Sequence, residues 1–170
     1  QVLVHEDIGL TFAAALKAFL RQDPNIIMVG EIRDLETASI AVKEALTGHL
    51  VLSTLHTNDA PSAIGRLIDM GIEPFLVASS VNLIVAQRLV RRICAGCKRP
   101  VELDEEIIRE LQLDPSQAKA AALAEGVGCV DCNSTGYRGR QGVYEVMVMS
   151  PRIRDLTLDR APAGEIKKAA

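Results

Sequence analysis

Apolar positions along this chain recur at two different spacings. From Ile8 to Gln22 they fall at Leu10, Phe12, Ala13, Leu16, Phe19 and Leu20, the interval of one helix face. Thr11 or Gly9 can begin that helix and Pro24 ends it. Ile26-Ile27-Met28-Val29 is a continuous apolar run between Pro24-Asn25 and Gly30, and it predicts a strand over 26–30 buried on both faces. Asp34 reads as the N-cap of a helix from Leu35 to about Leu46, with Glu36 in its first turn. Ala38, Ala41, Val42, Ala45 and Leu46 form its apolar stripe, and Gly48 signals its end. A second buried strand is predicted over Leu50–Leu55, with His56 at its carboxyl end. Asn58 or Asp59 caps the next helix, which carries Pro61 in its first turn and stops at Gly71. Pro74 opens a long, largely apolar segment that predicts a helix ending near Arg92. Strand, helix, strand, helix at this spacing predicts a parallel sheet and an α/β fold.

The pattern shifts at Ile93. Cys94 to Pro100 reads as a knuckle-like loop, and Asp104–Leu113 and Pro115–Ala124 as two helices, the second Ala-rich with Asp114 as its cap. Gly126 to Gly142 is loop-rich, and Gln141–Val148 predicts a strand. Ser150 caps a helix over Pro151–Leu158, and a last helix starts near Pro162. These shifts divide the chain into residues 1–93, 94–140 and 141–170.

With 170 residues, the chain is long enough for one compact domain or one with a small appendage. Aromatic residues make up 3% of the sequence and Trp is absent, so the core has to be built from Ala, Val, Ile and Leu. A net charge of −3 gives no reason to expect general nucleic-acid affinity. The richest apolar stretch, Pro74–Ala86, is broken by Ser79, Ser80 and Asn82, so no membrane span is indicated. Gln1 in place of Met, and a last helix that stops at Ala169-Ala170, lead us to expect a piece of a longer protein.

The first candidate chemistry sits at the end of the strand over 26–30. In open parallel α/β sheets, ligands bind outside the carboxyl ends of the strands. A carboxylate there, Glu31, can order a Mg²⁺-bound water or act as a base toward a phosphate. The alternative is that Glu31 and Asp34 only start the next helix, where acids suit the dipole. His49 and His56 flank the second strand and project to opposite sides if that strand is regular, so only His56 stands where a phosphate is expected. A histidine at a strand end can equally be a satisfied structural residue.

The second is the pair of C-x-x-C turns, Cys94/Cys97 and Cys129/Cys132. Four thiolates so paired can enclose Zn²⁺ tetrahedrally, leaving no open position for catalysis. The segment between them, residues 98–128, exceeds the ~15–20 residues of common zinc ribbons and has room for the two predicted helices. Redox-active pairs or free thiols are the other readings. Arg88, Arg91, Arg92, Lys98 and Arg99, joined by Arg138 and Arg140, form a basic cluster nearby. It is either a solvated face or a contact for subunits, acidic partners or lipid.

Met28-Val29-Gly30-Glu31-Ile32-Arg33-Asp34 resembles the Walker B segment of the secretion-superfamily ATPases, the hexameric motors of type II secretion and type IV pilus assembly. Thr47-Gly48-His49 through His56-Thr57-Asn58-Asp59 resembles their histidine box, and the four cysteines their tetracysteine site. Lys17 stands where members often carry an arginine, which keeps the charge.

The resemblance implies the second half of a RecA-like P-loop NTPase domain, residues 1–93, followed by a small zinc-binding helical subdomain over 94–140. Glu31 would activate the attacking water, and Gly30, Ile32, Arg33 and Asp34 would complete the motif. His56 would sense the nucleotide state, while His49 would serve a structural or coupling role. ATP and Mg²⁺ would be used, with Zn²⁺ on Cys94, Cys97, Cys129 and Cys132. The protein would be a homo-hexamer, cytoplasmic and peripheral to the inner membrane, working with a membrane platform protein and other machinery components, without nucleic acid. The tetracysteine site points to the extension or secretion branch. The chain has no Gly-Lys dipeptide and so no Walker A loop, and alone it is expected not to turn over ATP. The competing reading is a non-enzymatic, zinc-stapled interaction module. A zinc-ribbon nucleic-acid binder is disfavoured by the acidic balance and scarce aromatics.

Overall fold

The structure, a computed structural model, describes residues 5–101, 105–110, 114 and 123–170. The chain forms two compact units, one of residues 1–87 and 144–170, the other of residues 88–143.

In the first unit, helix α1 (Phe12–Leu20) is capped by Thr11, whose hydroxyl accepts the Ala14 N–H at 3.1 Å. Strand β1 (Ile26–Val29) runs parallel to β2 (Leu50–Ser53), with Ile27 opposite Val51 and Val29 opposite Ser53. A parallel pair needs a crossover, and helix α2 (Leu35–Leu46) supplies it. Asp34 starts α2 by accepting the Thr37 N–H at 2.8 Å and its hydroxyl at 3.1 Å. Gly48, at φ +106°, reverses the chain toward β2 in a conformation that suits glycine.

Helix α3 (Ala60–Asp69) follows β2, and α4 (Pro74–Ser80) follows α3. Near the C-terminus, α6 (Pro151–Leu158) packs on α4 and α7 (Ala163–Ala169) on α3. Ser150 caps α6 by accepting the Ile153 N–H at 3.3 Å. Val29, Ile64, Val77, Met147, Ile153 and Ile166 are among the core side chains, each almost wholly buried. Truncating an isoleucine such as Ile153 or Ile166 to alanine in such a core costs about 2–5 kcal/mol.

The structure departs from two of the expected elements. The strand over 26–30 is covered on one face only: Ile27 and Val29 are buried, while Ile26 is 61% and Met28 77% exposed. Leu50 and Leu52 of β2 are likewise exposed. Apolar residues at every position suit either face; the helices of this unit bury one of them.

The long helix expected over Pro74–Arg92 is instead α4 followed by strand β3 (Leu83–Ile93). The Ser79 and Ser80 hydroxyls donate back to the Phe75 and Leu76 carbonyls, each at 2.7 Å. Val81 is then extended, and the β-branched Ile84, Val85, Val90 and Ile93 favour a strand. β3 pairs with the late strand β6 (Tyr137–Val148), which starts four residues earlier than its expected start at Gln141.

In the second unit, β4 (Lys98–Pro100) pairs antiparallel with β5 (Ala124–Gly126), and helix α5 covers Glu105–Glu110. The helix expected over Pro115–Ala124 lies outside the described residues up to 122, and Ala124 belongs to β5. Among the described residues, no helix is long and apolar enough to cross a membrane.

Candidate functional site

Because β1 and β2 are parallel neighbours, the turns beyond their carboxyl ends lie side by side. The Ile32 N–H donates to the Thr54 carbonyl at 3.0 Å, and the Thr54 hydroxyl donates to the Gly30 carbonyl at 2.6 Å. This lacing sets Glu31 against His56. His56 Nε2 lies 3.0 Å from Glu31 Oε2, and Arg33 Nη2 lies 2.5 Å from Glu31 Oε1. Both carboxylate oxygens thus face a nitrogen-bearing ring or fork.

Glu31 is 34% exposed on its side chain and His56 84%, so the ring is open to an incoming molecule. The Arg33 guanidinium, and after it the His56 ring, hold the Glu31 carboxyl below its ordinary value. Glu31 is therefore an ionised carboxylate at neutral pH, able to accept a proton from, or orient, a water.

The expected residues separate into those brought together and those kept apart. Glu31, Arg33 and His56 meet. Asp34 spends both oxygens on the α2 cap, and Ile32 is buried in the core. His49 engages the end of α2 instead, its Nδ1 lying 3.1 Å from the Thr47 hydroxyl and 3.2 Å from the Glu44 carbonyl. A cavity of about 340 Å³ opens beside His56, lined by Thr57, Asn58, Ser62 and Arg66 among others.

Sequence reasoning missed Thr54, whose hydroxyl joins the two turns, and Glu145, which reaches the start of α3. For Glu145 a signal exists: Met147 and Met149 of the same alternating row are buried, which puts a carboxylate in a core-facing register.

The second unit gathers the four cysteines. Their sulfurs all lie within 4.8 Å of one another. Cys94–Cys129 is 3.9 Å, and Cys97–Cys132 and Cys129–Cys132 are each 3.8 Å. A tetrahedron with Zn–S bonds of ~2.3 Å has edges of about 3.8 Å, so the donor set has the size zinc requires. All four are free thiols, not disulfides.

Backbone N–H groups point at the sulfurs of Cys97, Cys129 and Cys132, those on Cys129 coming from Cys132 and Asp131. Gly128 donates to Cys97 at 3.3 Å, while Cys129 and Gly136 donate to Cys132 at 3.2 and 3.3 Å. Such donors favour thiolate and orient it, as outer contacts of metal ligands do. The Cys129 N–H leads in pulling the Cys132 thiol down to about 6, whereas burial pushes Cys97 up to about 11. The fold reaches this packing through glycine. A Cβ on Gly126 would sit 2.0 Å from the Gly136 carbonyl oxygen, and one on Gly136 2.3 Å from that of Gly126. Of the basic cluster, Arg91 stacks over the Tyr137 ring at 4.1 Å and Arg99 pairs with Glu125 at 2.6 Å.

The sequence model of the family described as "Type II/IV secretion system protein" matches residues 1–170. The type IV pilus assembly ATPase PilB of Myxococcus xanthus is 58% identical over 171 residues, covering 100% of this chain and 30% of that protein. The type II secretion system protein E of Pseudomonas aeruginosa is 51% identical over 170 residues, covering 100% of this chain and 34% of that protein. The chain thus spans about a third of the length of these relatives. Among solved structures, the pilus retraction motor PilT with bound ADP superposes with a TM-score of 0.59 at 28% identity, covering 95% of this chain and 36% of that one. The fold is mixed α/β, like these neighbours.

Proposed function

This chain belongs to the type II/IV secretion system protein family, and from that premise we propose that it is part of an ATPase whose ATP hydrolysis powers type IV pilus assembly or type II secretion. The observation that carries the reading is the contact of Glu31 with His56 beyond adjacent parallel strand ends. That is where an α/β sheet presents its ligand. The relatives are pilus and secretion ATPases, which disfavours the non-enzymatic interaction module. Identity of 58% and 51% to assembly and secretion ATPases, against 28% to a retraction motor, supports the extension or secretion branch.

In this reading the chain supplies the second half of a RecA-like nucleotide site. Glu31 orients and deprotonates the attacking water, and its partners keep it ionised for that work. Arg33 fixes the carboxylate from one side. His56 touches the same carboxylate and stands open to solvent, so it can exchange Glu31 for a phosphate oxygen as the nucleotide state changes. Mg²⁺ keeps several waters and takes one or two carboxylates besides the phosphates, a demand that the single Glu31 carboxylate fits. When bound, the ion neutralises charge developing on the phosphates. The sulfurs of Cys94, Cys97, Cys129 and Cys132 would hold a structural Zn²⁺. As in the family at large, we take the assembly to be a homo-hexamer at the cytoplasmic face of the inner membrane, working with a platform protein there.

The test is ATP turnover by the full-length protein carrying Glu31→Gln. Glutamine keeps size and hydrogen bonding but removes the base. Retained nucleotide binding with loss of turnover supports the assignment; unchanged turnover refutes it.

A further inference from the structure

His56 is exposed, and among the described residues the side chain it engages is the Glu31 carboxylate, so its position depends on how the backbone around it is held. Upstream, the lacing of Gly30, Ile32 and Thr54 ties the segment to the turn that bears Glu31. Downstream, the segment runs into the N-terminus of α3 through Thr57, whose hydroxyl donates to the Asp59 carbonyl at 3.1 Å.

The first N–H groups of a helix have no intrahelical partner. The Ser62 N–H goes to the Asp59 carboxylate at 3.0 Å, Pro61 has no N–H, and the Ala60 N–H is taken at 2.7 Å by Glu145 Oε2, a residue of β6 far away in sequence. Glu145 occupies the core-facing row of β6, two residues before the buried Met147. Its side chain is half-buried, and the helix start gives the carboxylate an N–H and a favourable dipole. Lys167 of α7 stands 4.0 Å from both Glu145 Oε1 and Asp59 Oδ2, placing a cation beside the two acids.

We propose that Glu145 is a positioning residue for the nucleotide-sensing histidine: by holding the first N–H of α3 it fixes the downstream end of the 56–60 segment and so keeps His56 on Glu31. This rests on the assignment of Glu31 and His56 to ATP hydrolysis. Glu145 bonds the start of α3 and not Glu31, so its loss acts on turnover through His56.

The experiment uses the full-length ATPase with Glu145→Ala and Glu145→Gln, each alone and with His56→Ala. Glutamine can still accept the Ala60 N–H; alanine cannot. Displacing a reacting group by about 1 Å can cost on the order of 10²-fold in rate, and loosening His56 is expected to lower kcat about tenfold with KM for ATP little changed. Glu145→Gln should recover most of that loss, and Glu145→Ala should add nothing once His56 is alanine. Amide exchange gives a second readout: the Ala60 N–H should exchange faster in Glu145→Ala than in Glu145→Gln. Unchanged Ala60 exchange, or a loss of turnover that multiplies fully with that of His56→Ala, overturns the proposal. If Glu145→Ala does not fold, Glu145→Gln with slow Ala60 exchange and near-normal kcat supports it, and fast exchange or full loss of kcat overturns it. His56→Ala with normal turnover refutes the catalytic reading instead, and Ala60 exchange then still decides whether Glu145 holds the segment.

Discussion

Glu31 and His56, on the turns that follow two adjacent parallel strands, meet at 3.0 Å between Oε2 and Nε2. The contact follows from the β1–β2 register, which sets Val29 opposite Ser53 and so brings the two turns level. In the full-length protein, Glu31→Gln is expected to lower turnover by roughly 10²–10⁴, the usual worth of a positioned acid–base group, while nucleotide binding survives. His56→Ala should also lower turnover, and more than His5→Ala. Phosphate release under saturating Mg-ATP measures all three.

The Arg33 contact sets a pH dependence. Arg33, more than His56, holds the Glu31 carboxyl below its ordinary value. A depressed carboxylate stays ionised to lower pH, and the stability it contributes is present above its unfolded value and lost as pH falls through the folded one. Arg33→Ala removes the larger cause, so the Glu31 value rises. The acid limb of the pH–turnover profile of the full-length enzyme should move to higher pH, with turnover near pH 8 least affected. An acid limb that stays in place would show that Glu31 does not govern it.

What the sequence made legible was local chemistry. Asp34, Asp59 and Ser150 start their helices as their side-chain types demand, because a cap is decided within three residues. The apolar segment after Pro74 was misread because its stripe lacks a clean period, and the β-branched Ile84, Val85, Val90 and Ile93 outweigh it. Burial of β1 was half right, since Ile26 and Met28 are as apolar as Ile27 and Val29, and only packing decides which face is covered. The two C-x-x-C turns announce themselves by spacing, but the glycines that let them meet act at backbone distances no pattern reveals. Thr54 was illegible for the same reason, and Glu145 showed its row but not its partner: Gly30 and Ala60 are remote in sequence.

The Gly126–Gly136 approach predicts an intolerance. A methyl group at either position meets a carbonyl oxygen at 2.3 Å or less, where no real Cβ sits. Gly136 is in addition at φ +76°, which other residues adopt only under strain. Gly126→Ala should therefore destabilise the cysteine-bearing unit by at least 1–3 kcal/mol, the usual cost of ~one inserted methylene in a packed site. Gly164→Ala, where the added Cβ meets nothing within 4 Å, should be nearly neutral. Thermal melting with a probe in each unit checks the contrast.

Zinc content is the prediction least dependent on the ATPase assignment. Four sulfurs within 4.8 Å, three of their separations at 3.8–3.9 Å, match the edges of a zinc tetrahedron. The two pairs are brought together only by folding, so metal binding free energy becomes folding free energy. In small peptides, structural zinc is worth about 10–16 kcal/mol at neutral pH, and even a fraction of that would dominate a unit whose buried cluster, among the described residues, consists of the cysteines themselves. We therefore expect one Zn²⁺ per chain, measured by mass spectrometry on protein made without added metal. Chelation should melt residues 94–132 while leaving amides of β1 and β2 protected from exchange. Any single Cys→Ser change should weaken the site, because a serine hydroxyl is not ionised at neutral pH and is a poor zinc ligand. Well-folded protein with no metal and four freely reactive thiols would rule the site out, and a disulfide linking the pairs in reduced protein would point to redox chemistry in its place.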